Sequence, residues 1–532
     1  MRATRMAWAS AGAACVLSAA GGAQDSDPLP RYLTEAERKY LEDHPLVAST
    51  RGAPPVGPLW CPPEYHPCQA ILIAWEGSST WKNILAQLAA QITTVGDADL
   101  YVGIDNAAGV TSATNTLQSA GTNMARVQFF TKTLDTIWIR DYGPRFVYEG
   151  NVRVIVDHTY NRPRPNDDAF PDYFAGVMGF AGYDIPLVHG GGNFHLSGLG
   201  DSHATRLIVN ENPGLSETQI VGYWQSFQGL DTTLYTPFRT FVDSTQHIDM
   251  WMIMVDDRTA IISDWPLAQG SYEDNICEGA ATSLAAAGYT VYRTPAVSVG
   301  GIHYTFANSV LCNDLAIVPS YTNNTAKQYN AQALATWQQA CPDKTVVQMN
   351  AEGIVSAAGV FHCIVMHVPE PALGSTPSIY LRTPNGGESF DPGDTVEVAW
   401  SSDDDVDTYY VKLLLSTDGG QTYPTVIHPF WLDTGEFVWT VPDVYTTEAR
   451  IKGVIYDWNE GQSFDISDAN FTINGEPPCV GDFNGDGTVN TLDVTVFLNA
   501  WVARDPDADI NEDGTVNTLD VSAFLNAWAA GC

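Results

Sequence analysis

Five short stretches carry side chains fit for chemistry. IWIRDYGP holds Arg140 and Asp141, HGGGN holds Gly190 to Asn193, and QHIDMW holds His247 and Asp249. YTFANS holds Asn308, and VFHC holds His362 and Cys363. A cysteine attacks as its thiolate and needs a neighbouring cation or base to reach that state. A histidine can give a proton at one step and take one at the next. Two carboxylates can hold a planar cation through paired hydrogen bonds, as carboxylates hold guanidinium. Together these types suit attack of Cys363 on a guanidinium carbon gripped by Asp141 and Asp249. His247 would protonate the departing nitrogen, which leaves as ammonia, then deprotonate the water that hydrolyses the covalent thiouronium. The product would be a ureido group, and the scheme needs no metal or other cofactor.

The same residues also admit plainer readings. Cys363 alone, inside IVSAAGVFHCIVMHV, reads as a small core hydrophobe. His362 and His367 read as structural, and Arg140 as a scaffold ion-pair partner. HGGGN lacks the Lys-Ser/Thr of a phosphate loop and reads as tight turns lining a site. A papain-type protease needs its cysteine first, whereas here the order is His247, Asn308, Cys363.

A second chemistry lies at the C-terminus. GDGTVNTLDVTVFLNAW recurs as EDGTVNTLDVSAFLNAW, 27 positions on. In the first copy Asp482, Asn484, Asp486, Thr488, Asn490 and Asp493 take loop positions 1, 3, 5, 7, 9 and 12, with Gly487 at 6. Asp509, Asn511, Asp513, Thr515, Asn517 and Asp520 repeat them, with Gly514 at the turn. Hard oxygen donors without thiolate or imidazole select Ca²⁺, so two ions are expected.

The elements that must position these groups follow from pattern and composition. Residues 1–23, MRATRMAWASAGAACVLSAAGGA, read as a secretory signal peptide, so the chain is expected outside the cell. Residues 24–60 form a leader with one helical pattern, Thr34–His44, and the Pro/Gly stretch RGAPPVGP. Residues 61–370 alternate strand-like runs (DLYVGID, VRVIVDHTY, TRLIVNE, MWMIMV, LAIVPSY) with helical ones (WKNILAQLAAQI, DNICEGAATSLAAAG), which predicts an α/β domain of repeated modules. PEPALGSTP links it to residues 378–475, where alternating segments such as TVEVAWS and EFVWTVP predict an immunoglobulin-like β-sandwich. Residues 479–532 carry the calcium repeat. The spacing permits disulfides Cys479–Cys532 and Cys61–Cys68, though connectivity cannot be read from sequence.

The chain has 532 residues, 62 acidic against 25 basic, and a formal charge of -37. That argues against nucleic acid, which needs a basic footprint. With 45% apolar and 11% aromatic residues the chain can build sizeable cores. Acids are densest in the two C-terminal segments, so the total says little about the five motifs. No run beyond the leader reaches the ~18 apolar residues of a membrane span.

The five motifs, in this order over about residues 60–370, resemble the guanidine-modifying (pentein) superfamily. More narrowly they resemble the family joining bacterial peptidyl-arginine deiminases and agmatine deiminases. The resemblance implies a five-bladed α/β propeller of ββαβ modules with the site at its centre. It implies Cys363 as nucleophile, His247 as general acid/base, Asp141 and Asp249 on the guanidinium, and Asn308 positioning the cysteine. Asn193 is a further candidate for substrate binding. The stretch VDHTYNRPRP is similar to one in the secreted peptidyl-arginine branch, where two arginines meet the carboxylate of a C-terminal arginine. Arg162 and Arg164 would fill that role. Peptidyl-arginine is therefore the favoured substrate, with agmatine, giving N-carbamoylputrescine, as alternative. Thr245-Gln246 before HIDM and VFHC without Gly-Gly-Ile depart from the agmatine pattern. A different class, a catalytically silent component docked through its tail, also stays open. The calcium repeat resembles a type I dockerin and implies a cohesin-type partner.

Overall fold

A computed structural model describes residues 28–49, 52–403, 408–477 and 479–531. The predicted signal peptide, Cys15 and Cys532 lie outside the described residues. The chain divides into two compact units. The first comprises residues 1–380, 401–410 and 455–464, and the second residues 381–400, 411–454 and 465–532. These units do not coincide with the boundaries read from sequence. Within the first unit, Arg153 is paired with Asp403 at 2.6 Å, both buried, which ties 401–410 to it.

The α/β part of the first unit is built of five small sheets. Each begins with an antiparallel pair and continues, through a helix, to a parallel third strand. In the first sheet Arg145–Glu149 pairs antiparallel with Val152–Tyr160, which pairs parallel with Ala181–His189 across the helix Phe170–Met178. The second sheet joins His195–Leu196, Asp201–Thr205 and Asp231–Tyr235 across Glu217–Gln228. The third joins Met252–Asp256, Thr259–Asp264 and Thr290–Val299 across Tyr272–Ala286. The fourth joins Val310–Cys312, Leu315–Ser320 and Thr345–Asn350 across Asn330–Ala340. The fifth closes the α/β part on itself: Met366–Pro369, from the end of that part, pairs antiparallel with Cys68–Ala74. That strand continues parallel to Asp99–Ile104 across Ser79–Thr94.

The sequence explains these choices locally. Ser78, Ser216 and Ser271 each accept a backbone N–H in the first turn of the helix that follows, satisfying donors that would otherwise be orphaned. Helix Ser79–Thr94 buries Trp81, Ile84, Leu85, Leu88 and Ile92, spaced at three and four residues, against the sheet. The strand Cys68–Ala74 is almost wholly buried, as a strand covered on both faces should be. TRLIVNE, read as a strand, instead splits: Thr205 ends a strand and Leu207–Glu211 is a helical turn. Ile208 alone in that turn is buried, so its apolar run serves one contact, not a pleat.

Two sheets form the β-rich segment that follows. One orders Ser378–Thr383, Thr395–Asp403 and Glu436–Thr440; the other is built on Phe471–Asn474, Tyr445–Asp457, Thr408–Ser416 and Thr425–Leu432. In the C-terminal repeat, helices Thr491–Ala503 and Thr518–Ala530 meet through stacked Phe497 and Phe524, 4.1 Å between centroids. Cys479 is disulfide-bonded. The second suggested bridge does not form: Cys61 and Cys68 are both free thiols. Cys68 Sγ lies 3.7 Å from Cys312 Sγ, while Cys61 Sγ faces the Phe146 carbonyl, so the two point to different partners.

Candidate active site

Each of the five motifs occupies the turn just before the first strand of one sheet. Asp141 lies in the helical turn Ile139–Tyr142, before Arg145–Glu149. Gly190 to Asn193 precede His195–Leu196, and His247 and Asp249 precede Met252–Asp256. Asn308 precedes Val310–Cys312, and Cys363, in the turn His362–Ile364, precedes Met366–Pro369. Hydrogen bonds link these turns in series. Gly192 N donates to Asp141 Oδ1 (3.1 Å), Asp249 N to Gly192 O (3.2 Å) and Asn308 Nδ2 to Asp249 O (3.2 Å). Val360 N donates to Asn308 Oδ1 (3.2 Å), and that oxygen lies 3.3 Å from Cys363 Sγ. Repetition of one module thus brings residues 141 to 363 to one place.

A guanidinium sits at that place, and it belongs to the chain itself. Arg31 is fully buried. Its Nε donates to Asp141 Oδ2 (2.8 Å) and its Nη2 to Asp141 Oδ1 (2.7 Å). Nη2 also donates to Asp249 Oδ2 (2.9 Å), and Nη1 to Asp249 Oδ1 (3.2 Å). Nη1 lies 2.7 Å from Cys363 Sγ, and Nη2 lies 2.8 Å from His247 Nδ1. Every group expected to act on a guanidinium touches this one.

The electrostatics follow from burial and from that cation. Burial pushes the Asp141 carboxyl up, but Arg31 and His247 outweigh it and hold it well below the usual carboxylate range. Asp249 is held down likewise, with burial opposed by Arg31 and His362. Burial, then Arg31, lower the His247 pKa. Burial drives the Cys363 thiol well up; the guanidinium pulls it back, and Asp249 and Asp141 add to the rise. A cation in the site is therefore what favours the thiolate.

Surrounding groups fix the grip. His362 Nδ1 lies 2.9 Å from Asp249 Oδ2, and its Nε2 lies 2.9 Å from both Glu64 oxygens. Arg140 pairs with Glu64 at 2.8 Å and touches His367 Nδ1 at 3.0 Å, as a scaffold ion-pair partner should. Gly192 is required by space: a Cβ there would overlap Arg31 Nη2 and lie 2.7 Å from Asp141 Oδ1 and 2.8 Å from Asp249 Oδ2. Asn193, a candidate for substrate binding, bonds the backbone. Its Oδ1 accepts from Thr205 N and Ile248 N and its Nδ2 donates to Thr205 O, so its polar atoms are spent holding two turns together.

The model of the Porphyromonas-type peptidyl-arginine deiminase matches residues 60–369, more than half of the chain. The chain belongs to that family. The agmatine deiminase of Ectopseudomonas mendocina (strain ymp) is 25% identical over 362 residues, covering 58% of this chain and 95% of that protein. The agmatine deiminase of Pseudomonas aeruginosa (strain UCBPP-PA14) is 22% identical over 364 residues, covering 58% and 95%. Among solved structures, the agmatine deiminase of Enterococcus faecalis superposes with a TM-score of 0.53 at 18% identity, covering 60% of this chain and 98% of that one. The deiminase is accordingly a hydrolase acting on carbon–nitrogen bonds of linear amidines. The Dockerin type I domain matches residues 480–529. No helix among the described residues is long and apolar enough to cross a membrane.

Sequence reasoning placed the deiminase's core residues together but treated residues 24–60 as a leader apart from the site. The segment instead runs into it. Arg31 N donates to Ala357 O (3.1 Å), and Trp138 Nε1 to Leu29 O (3.0 Å). Arg162 Nε donates to Arg31 O (3.1 Å), and Arg164 Nη2 to Pro30 O (2.7 Å). Arg164 also pairs with Glu37 at 2.8 Å. So Arg162 and Arg164 meet main-chain carbonyls flanking an internal arginine, where a terminal carboxylate was expected. Glu64 was also missed; its signal was an acid in an apolar, Pro-rich stretch, CPPEYHP.

The calcium loops fit a hard cation. Asp486 N donates to Asp482 Oδ1 (3.1 Å) and Asn484 Oδ1 (2.9 Å), and Gly487 N to Asp482 Oδ2 (2.7 Å). The second loop repeats these bonds through Asp509, Asn511 and Gly514. Gly487 and Gly514 have φ of +82° and +81°, the left-handed turn that folds the oxygens onto one loop. Asn490 and Asn517 also cap the helices that follow, each boxed by Asp493 or Asp520.

Proposed function

We propose that the protein hydrolyses the guanidinium of peptidyl-arginine to the ureido group of citrulline, releasing ammonia. The observation that supports this most is Arg31, whose guanidinium and main chain are both held. Agmatine has no main chain for Ala357 O, Arg162 or Arg164 to engage. Internal as well as C-terminal arginines fit this recognition.

Asp141 and Asp249 hold the guanidinium through charge-assisted bonds, each worth about 1.5–3 kcal/mol. The pKa shifts favour an uncharged pair at rest, Cys363 thiol and His247 imidazole. Transfer of the thiol proton to His247 creates the reactive pair. The thiolate forms a bond to Cζ, and the C=N electron pair moves onto nitrogen. His247 gives its proton to Nη2, the C–N bond breaks, and ammonia leaves a cationic thiouronium. His247 then takes a proton from water as its oxygen bonds to Cζ. The S–C bond breaks, thiolate returns, and the ureido group loses its extra proton to ammonia. Guanidinium plus water thus gives ureido plus ammonium. Asn308 positions the sulfur.

Five sheets, each led by a site turn, support reading the α/β part as a five-bladed propeller of ββαβ modules. The signal-like residues 1–23 support export, and the two loops support two bound Ca²⁺ and docking to a cohesin-type partner. Deimination of agmatine is the second reading, favoured by the names of the relatives at 22–25% identity. A catalytically silent head is disfavoured by the complete Cys363, His247, Asp141, Asp249 set.

The test is ureido and ammonia release from a peptide with internal Arg, a peptide ending in Arg, and agmatine. The full chain, its Arg31→Gln variant and a Cys363→Ala control are compared. Turnover of peptides is expected; turnover of agmatine alone would overturn the peptidyl reading, and none at all the enzymatic one.

A further inference from the structure

Arg31 is bound as a substrate of the proposed reaction would be. Its guanidinium touches both carboxylates, the thiol and the histidine, and its main chain is held on both sides. The Leu29–Tyr32 stretch therefore fills the site that an added peptide would need. That side chain supplies the buried charge of the hold; main-chain bonds from Trp138 to Leu29 O and from Arg164 to Pro30 O supply the rest. The helix Glu35–Asp43, which follows, buries none of its residues. Leu33, Leu41, Pro45 and Leu46 line a cavity of about 690 Å³ together with Arg162 and Val188. Arg164 and Glu37 form a further ion pair between the segment and the rest of the unit.

We propose that Arg31 is a tethered substrate: the enzyme deiminates it once, in cis, and the loss of its charge releases the segment and opens the site to other arginines. This rests on the proposed deimination. The chemistry is that reaction turned on the chain itself: Cys363 attacks Arg31 Cζ, Nη2 leaves as ammonia with a proton from His247, and water converts the thiouronium to citrulline with return of the thiolate. Arg31 and water become citrulline and ammonium, with no other reactant. The ureido product is neutral, so Asp141 and Asp249 lose their buried counter-charge. An uncompensated pair of buried carboxylates is strongly unfavourable, and re-hydration of the site drives the segment out.

The experiment follows residue 31 by peptide mass spectrometry in the full chain, in Cys363→Ala, and across a dilution series, alongside peptidyl-arginine turnover. Citrulline at 31 is expected in the wild type, arginine in Cys363→Ala, and a conversion rate independent of protein concentration. The wild type should show a lag on added peptide that ends as residue 31 converts. Arg31→Gln should show none, and Arg31→Lys, which keeps the charge but cannot be deiminated, should stay slow. Peptide turnover without a lag, with Arg31 unmodified, would overturn this inference and leave the proposed function standing. Conversion that speeds with concentration would overturn the cis step. No turnover by Arg31→Gln on any guanidine, with Arg31 unmodified in the wild type, would overturn both.

Discussion

Gly192→Ala separates occupancy of the site from stability of the fold. Gly192 does not sit at positive φ, so alanine fits its backbone without strain. Its N–H is spent on Asp141 Oδ1 and its carbonyl accepts from Asp249 N, so the backbone cannot back away. The new methyl would occupy the place of Nη2 on any guanidinium bound as Arg31 is. The guanidinium must shift and forfeit the two bonds Nη2 makes to Asp141 and Asp249. At about 1.5–3 kcal/mol each, that is a loss of about 3–6 kcal/mol. At about 1.4 kcal/mol per tenfold, kcat/KM should fall by roughly 10²–10⁴. The assay is steady-state ureido formation on an arginine peptide, with the melting temperature measured in parallel. A near-wild-type melting curve with activity within tenfold of wild type would refute the guanidinium position.

Arg162→Ala removes one charged donor to the substrate carbonyl and should lower kcat/KM on arginine peptides by roughly 10–100-fold, at about 1.5–3 kcal/mol per such bond, while leaving any agmatine turnover unchanged; paired assays check this. Burial raises Glu211 to about 7. A raised carboxyl contributes stability below its unfolded value that is lost as pH rises through about 7, so Glu211→Gln should gain melting temperature relative to wild type from pH 5 to 8; equal curves at all pH would contradict the burial argument. Chelation of Ca²⁺ from the full chain should abolish the calorimetric transition of the C-terminal repeat and spare that of the α/β part, because only Phe497, Ala508 and Phe524 are buried in the repeat's apolar cluster, the residues around them being partly buried.

The sequence made the central chemistry legible because the fold repeats. Five motifs spaced through some 220 residues, Asp141 to Cys363, make sense only as turns of like modules that face one point. The helical pattern over Thr34–His44 was legible too, and the structure places a helix at Glu35–Asp43 with a Thr34–Glu37 capping box. Its relation to the site was not, because Arg31 lies in an extended stretch whose partners are 110 to 332 residues away. No local pattern records such contacts. Asn193 and Arg162 show the same limit: a polar residue near a motif can hold backbone or substrate, and only the direction of its bonds decides. TRLIVNE misled because one buried Ile among apolar neighbours imitates a strand.

The proposed reaction turns on attack by Cys363 on a guanidinium carbon held by Asp141 and Asp249. The direct measurement is intact-protein mass spectrometry after acid quench during turnover of an arginine peptide by the Arg31→Gln chain, with the modified residue mapped by fragmentation. The account predicts a transient adduct of substrate less ammonia on Cys363 that decays as citrulline accumulates. Product formation with no adduct at any quench time, or with the adduct on another residue, would contradict it.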